Sequence, residues 1–467
     1  MLKKNFLDNY TKAQFYISTL IIFLISKSII FYIGIKPNMG FAYWQILDIS
    51  LLHNDLMQSL LYLHSEPILW NLLLGLSLKL FNGNITNITS FIYIFHISLS
   101  YLIVHYTYKI LIELKFSKRI IFIVILFLIF SPNIIYYENW IFYSHLTCFL
   151  FFQLFYFIIK IFKDYSLKIE LLIYCNLLVL TLTWKLFHPI IIILFFLFFL
   201  FFIKNFLKSK SIIFFLIFFT LSMLQTVKNK IVFGFFSSGS LIGLNLAQTV
   251  SFANIGDGKG FYEINFPEGI LKSNYMSCDF SISKENEENY FILFDKKREN
   301  FSHESLVGEK SRKNNVGGIF KSKKCLKIAT EHILNNPVIW MKSRFMNILR
   351  SHSKFAIDHG YKPLGWDNYF GFVKTFKANN FTRVIQVIVL LTYMLSIYLF
   401  YLKKIFFSKE ELFVKKSFFC IFTFYGYIVF IGHFLNGWEQ ERFLYTGFAL
   451  QIIFIAYLFK KLIRIKS

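Results

Sequence analysis

No cysteine pattern in this chain suits a metal. Of five cysteines in 467 residues, Cys148, Cys175 and Cys420 fall within apolar runs. Only Cys278 and Cys325 share a hydrophilic segment, where they either pair or stay as free thiols. Acidic residues are also scarce, 26 against 50 Lys and Arg, which leaves a net charge of +24. In a soluble chain that balance would point to nucleic acid. Here the cations sit in short loops between apolar runs, where they orient a membrane protein and meet anionic headgroups. Nucleic acid is therefore not an expected partner. No internal repeat is apparent, which argues against transporters built from duplicated halves. No cleavable leader stands out either, because the apolar run after Lys3 and Lys4 is long enough to remain as a first membrane helix.

What the chain has in abundance is apolar surface. Hydrophobic residues make up 56%, Phe alone accounts for 62 positions, and the mean hydropathy is +0.54. A soluble domain has no means of hiding so much, and runs of about 20 apolar residues cross a ~30 Å hydrocarbon layer. The expected spans are Phe15–Ile35, Ile88–Leu111, Ile120–Ile135, Ile141–Phe162, Ile169–Leu186, Pro189–Ile203 and Ile212–Val227. After a long hydrophilic stretch come Val384–Leu402, Phe418–His433 and Phe443–Phe459. Ile68–Phe81 is too short to span comfortably, and charge decides its place. If it does not cross, the cations of nearly every loop fall on the cytoplasmic side: Lys115/Lys118/Arg119, Lys160/Lys163/Lys168, Lys204/Lys208/Lys210, Lys403/Lys404/Lys415/Lys416 and the tail. The expectation is an all-α polytopic protein of the bacterial inner (plasma) membrane. It has about ten transmembrane helices, juxtamembrane helices and both termini in the cytoplasm.

Three regions follow: a transmembrane module over 1–228, an extracytoplasmic domain of mixed structure over 229–382, and C-terminal membrane helices over 383–467. The middle region carries mixed charge and turn signals such as Gly256–Asp257–Gly258, too long and varied for a linker. Its end, His332–Leu349, has the near-helical apolar spacing of a helix lying on the membrane surface.

With this topology the unusual polar residues gather on the outer face. Asp48, Asp55, His64 and Glu66 occupy the first external loop, and Glu138 the next. Lys185 and His188 flank the third, and Glu439, Glu441 and Arg442 lie in the last. Their aromatic neighbours fit headgroup level. Any one of them can be a snorkelling or boundary residue, Glu66–Pro67 can be a helix start, and Glu441–Arg442 a structural ion pair. Lys27 lies inside the first span, where a cation costs about 2.5–3.5 kcal/mol, so it faces a cavity or pairs with a polar neighbour. The set as a whole suggests chemistry.

The stretch Trp44–Gln45–Ile46–Leu47–Asp48, the following Asp55–Leu56–Met57–Gln58 and His64–Ser65–Glu66–Pro67–Ile68–Leu69–Trp70 resemble a first-loop signature. Lys79–Leu80–Phe81–Asn82–Gly83 and Glu439–Gln440–Glu441–Arg442–Phe443 extend the likeness. Together they are similar to the GT-C superfamily of membrane glycosyltransferases, in particular the bacterial branch of protein mannosyltransferases and lipid A aminoarabinose transferases. The likeness covers the first two fifths and the last thirty residues. The usual Pro-Pro is Glu66–Pro67 here and the adjacent Asp-Glu pair is absent, so the base is open between Asp48 and Asp55. The resemblance implies transfer of a sugar, with inversion, from a polyprenyl-phosphate donor to a glycan, lipid or protein acceptor on the outer face. In such a reaction Asp48 or Asp55 would act as general base, Glu138 would position the acceptor, and Lys185, His188 and Arg442 would bind the donor phosphate. His64, Glu66, Glu439 and Glu441 would serve the acceptor side or the scaffold. No cofactor is expected; grouped carboxylates are able to hold a divalent cation, but none is predicted. The competing classes are a flippase or transporter of lipid-linked sugars, which needs ionisable residues at membrane depth on several helices, and an O-antigen-type polymerase, which should show arginine-rich external loops.

Overall fold

A computed structural model describes residues 11–37, 46–47, 49–203, 210–251, 316–352, 380–434 and 440–465. Among these, regular structure is helical and there is no strand. The first half contains α1 (Lys12–Tyr32), α2 (Ile49–Asn54), α3 (Leu56–Leu61), α4 (Ile68–Leu80), α5 (Ile85–Glu113), α6 (Lys118–Ile129), α7 (Pro132–Asn139), α8 (Tyr143–Lys163), α9 (Leu167–Thr183), α10 (Ile190–Phe202) and α11 (Ser211–Phe233). The second half contains α12 (Ile242–Ser251), α13 (Val316–Asn335), α14 (Pro337–His352), α15 (Asn380–Leu402), α16 (Leu412–Phe434), α17 (Gln440–Thr446) and α18 (Phe448–Ile465).

Five helices are long and apolar enough to cross a membrane, namely α1, α5, α8, α11 and α16, and the bent pair α6–α7 makes a sixth if counted as one span. That is the mark of a helical membrane protein. The break in the sixth has a local cause. Pro132 occupies the first turn of α7, and proline disfavours helical backbone in the residue before it, so α6 stops and the axis turns by 45°. The short run after Pro67 forms α4 with 13 residues. At about 1.5 Å per residue it reaches only ~20 Å of a ~30 Å core. The run expected over Phe443–Phe459 is divided at Gly447 into α17 and α18. A Cβ there would stand 2.0 Å from the Tyr425 ring, so only glycine allows α16 to come this close. Within 229–382, where a domain of mixed structure was expected, the described residues form the helices α12, α13 and α14.

The bundle is organised around α8, whose apolar window is 78% buried against 22–56% for the other four spans. Outer helices show the reverse of soluble amphipathicity. In α1, Ile17, Ile21, Leu24, Ile25 and Ile29 are exposed, while Thr19, Ser26 and Lys27 are buried. In lipid the polar side chains turn inward and the apolar face meets the acyl chains. At one end of the bundle the basic loops come together: Lys160 and Lys163 hold Glu113 at 3.2 and 2.9 Å, Lys115 pairs with Glu411, and Lys404 pairs with Glu410. Lys460 lies 5.0 Å over the Phe116 ring, which brings the C-terminal helix to the same end.

Candidate functional site

The turn between α3 and α4 is fixed by α11. Lys228 donates to the Leu60 carbonyl at 3.4 Å and also to that of Leu63, while Gln225 Nε2 reaches the Leu63 oxygen at 3.3 Å. His64 is buried and bonds through Nδ1 to Ser240 Oγ at 2.8 Å. These anchors set Glu66, 3% exposed, where its Oε1 accepts from Lys185 Nζ at 2.6 Å. Gly239 allows this packing, since a Cβ would meet the Ser65 carbonyl at 3.0 Å and the Lys185 stem at 3.3 Å.

Lys185 borders a cavity of about 280 Å³ formed by the turn between α9 and α10 together with α10, α12, α16 and α17. Its lining is largely apolar, with Trp184, Ile190, Tyr427, Ile431 and Phe443 in the wall. Polar groups come from Lys185, His188, Ser237, Ser238 and Asn245. Such a lining accepts a ligand with an apolar body and an anionic or hydroxylated end. Desolvation at the cavity pulls the His188 imidazole below its ordinary value.

Arg442 lies one layer behind the cavity. It is 2% exposed, and its guanidinium sits 5.0–5.8 Å from the centres of Phe142, Trp184, Tyr143 and Trp140. Trp184 stacks on Phe443 at 5.1 Å, so α17 supplies both the caged cation and part of the cavity wall. A second buried arginine, Arg344 of α14, donates to the Thr249 carbonyl at 2.7 Å and to that of His433 at 3.4 Å, which ties α14 to α12 and α16. Burial pulls its value down to about 10.

Glu138 does not line the cavity. It stands in α7 rather than in a loop, fully buried, with its Oε2 2.6 Å from Lys27 Nζ. Ser100 Oγ donates to the same oxygen at 2.6 Å and meets His145 Nε2 at 2.9 Å. His145 Nδ1 lies 2.7 Å from the Tyr445 hydroxyl. His96 touches the Glu138 carbonyl at 3.3 Å and lies over His145, with ring centres 5.3 Å apart. Five helices, α1, α5, α7, α8 and α17, thus contribute to one buried polar cluster. Of the two possibilities for Lys27, pairing is the one realised.

The remaining expected site residues fall elsewhere. Asp55 is exposed before α3 and makes no side-chain cap bond. Asp48 and Glu439 lie outside the described residues, as does the side chain of Glu441 in α17. Leu47, next to Asp48, is held by its N–H donating to Asn71 Oδ1 at 2.8 Å. No group of three or more His, Cys, Asp or Glu is arranged for a metal among the described residues. Cys325 is buried and disulfide-bonded, while Cys278 lies outside the described residues. Sequence reading missed His96, His145, Ser100 and Tyr445. The signal for the two histidines was present, since ionisable residues inside spans are costly and unusual.

The fold and these two sites define a polytopic helical membrane protein with an amphipathic cavity and a separate buried ionic cluster. Compared with known proteins, the chain matches no family model, no curated protein and no solved structure.

Proposed function

We propose that the protein is a membrane glycosyltransferase of GT-C type with about ten spans, taking a sugar from a polyprenyl-phosphate carrier on the extracytoplasmic face. The cavity is the observation that carries this reading. Its wall of Trp184, Tyr427, Phe443 and isoleucines suits a prenyl chain or sugar face, and Lys185 and His188 suit the phosphate. Glu66 holds Lys185 in place behind it. A disulfide-bonded Cys325 in the middle segment fits an oxidising compartment on that side. In the transfer, the acceptor oxygen forms the bond to the anomeric carbon as the bond to the phosphate oxygen breaks. The acceptor proton goes to a first-loop carboxylate, Asp48 or Asp55, and the departing phosphate is stabilised by Lys185. A positioned base contributes about 10²–10⁴-fold, and a fixed cation in a dry site is similarly effective. Single substitutions Asp48→Asn, Asp55→Asn and Lys185→Ala test the assignment. If all three variants transfer sugar at the wild-type rate, the mechanism is wrong.

A second reading, movement of lipid-linked sugars across the membrane, is favoured by one observation: Lys27, His96, Glu138 and His145 meet inside the bundle from four helices. That is the pattern expected of a proton-linked transporter. Proteoliposomes that scramble a labelled lipid-linked sugar without releasing free polyprenyl phosphate would select it over transfer.

A further inference from the structure

We propose that Glu138 is a proton-binding site in the membrane interior, loaded and unloaded through Ser100, His145 and Tyr445. The directions of these hydrogen bonds follow from counting donors. An ionised carboxylate only accepts, so Ser100 Oγ gives its hydrogen to Glu138 Oε2 at 2.6 Å. Ser100 then has none left for His145, and the 2.9 Å contact requires Nε2 to carry the hydrogen. Nδ1 is therefore the acceptor, and the Tyr445 hydroxyl donates to it at 2.7 Å. Every hydrogen in the row points toward Glu138.

A single concerted shift moves one proton along it. Tyr445 gives its proton to Nδ1, Nε2 gives its own to Ser100, and Ser100 gives its own to Oε2. Glu138 becomes a carboxylic acid, His145 changes tautomer, and buried Tyr445 regains a proton through its hydrogen-bonded neighbour, the Cys148 thiol, with water as the ultimate source. Lys27 opposes loading, since its ammonium pairs with the carboxylate at 2.6 Å. Among the described residues, the other titratable groups facing Glu138 are His96, bonded to its carbonyl, and Tyr93 and Tyr445, both within electrostatic reach. None carries a compensating negative charge.

A strap between helices would not need this arrangement. Glu138 Oε1, His96 Nε2, Trp70 Nε1 and Asn139 Oδ1 are buried beside the row with no hydrogen-bond partner among the described residues. Each such atom has given up water without gaining a hydrogen bond, and ionisable clusters inside a membrane bundle mark proton and ion pathways. The row is also linked to the cavity, because Tyr445 and Phe443 belong to the same short helix α17. The inference stands whether the cavity serves transfer or transport.

The test is infrared spectroscopy of the purified full-length protein, following the carbonyl stretch of a protonated carboxylic acid. Because the other carboxyls also protonate on acidification, the reading is the wild-type minus Glu138→Gln difference spectrum, in which the band of a single buried acid should grow in as the pH falls. In Lys27→Met, where the counter-charge is gone, the same difference band should appear at higher pH than in wild type; should that variant fail to fold, the acid titration of wild type reads the same group. In deuterated water, Ser100→Ala and Tyr445→Phe should keep the band but slow its exchange by about a hundredfold or more, the lower end for a positioned proton-transfer group. A difference spectrum with no acid band, or exchange of that band unchanged in both relay variants, overturns the proposal.

Discussion

Replacing Lys27 with methionine separates charge from packing at the heart of the bundle. The two side chains are similar in length, so little volume is lost, yet Glu138 keeps its burial and loses its counter-charge. Removing one partner of a buried pair costs about 3–5 kcal/mol. The cation also lies 4.7 Å over the Phe23 ring, a contact worth about 0.5–2 kcal/mol. Replacing both residues, Lys27→Met with Glu138→Leu, removes the stranded charge and should return most of that loss. The assay is equilibrium unfolding in mixed micelles, run as a double-mutant cycle. A coupling near 3 kcal/mol is expected, the upper end for residues in contact. The deficit of the single lysine variant should also shrink on acidification, where the stranded carboxyl takes up a proton, and grow as the pH rises. Single-variant losses that simply add, to within about 0.5 kcal/mol, would refute the claim that these two residues form a pair that matters.

Other consequences are checked more simply. Because desolvation lowers the His188 value, the imidazole is mostly neutral at pH 7 and becomes cationic as the pH falls below the ordinary histidine value of about 6.5. Binding of a prenyl-phosphate ligand, followed by tryptophan fluorescence, should therefore tighten on acidification in wild type and lose that rise in His188→Gln. In Gly243→Ala the new Cβ would stand 1.7 Å from the Ser322 carbonyl, backbone that cannot step aside. The helix pair α12–α13 must part at a cost of at least about 1–3 kcal/mol, and an unchanged midpoint of thermal unfolding in detergent would contradict the close approach. Leu334, Val338, Met341 and Phe345 are 48–79% exposed at helical spacing along α13–α14, which suits a stripe resting in the headgroup layer. A spin label at position 338 should be relaxed by a lipid-phase quencher, and a purely aqueous response would count against that stripe.

Most helices were legible because length and apolarity are one-dimensional properties. The brevity of the run after Pro67 was visible in the residue count, whereas the run Ile120–Ile135 was read as one span and the structure breaks it at Pro132. Gly447 was not, because its meaning depends on the Tyr425 ring of another helix. Composition also failed to tell the buried α8 from the lipid-facing α11, since Phe and Ile serve a protein core and an acyl environment equally well. At the site, Lys185 and His188 were found as polar residues flanking the expected third external loop, and the structure brings both to the cavity. Their supports were hidden by distance along the chain: Glu66 reaches Lys185 across 119 positions, and His145 reaches Tyr445 across 300. Glu138 was marked by sequence as polar and unusual, but its burial against Lys27 follows from the bend at Ser131–Pro132, which no residue count reveals.

The central claim is that the cavity beside Lys185 splits a lipid-phosphate sugar. It is tested most directly by incubating the purified protein with a radiolabelled polyprenyl-phosphate sugar and measuring free polyprenyl phosphate alongside Lys185→Ala and Glu66→Gln. The account predicts release by wild type, its near loss in Lys185→Ala, and a partial loss in Glu66→Gln. Release at equal rates in all three, or intact donor in every reaction while the same protein moves it across a bilayer, would contradict it.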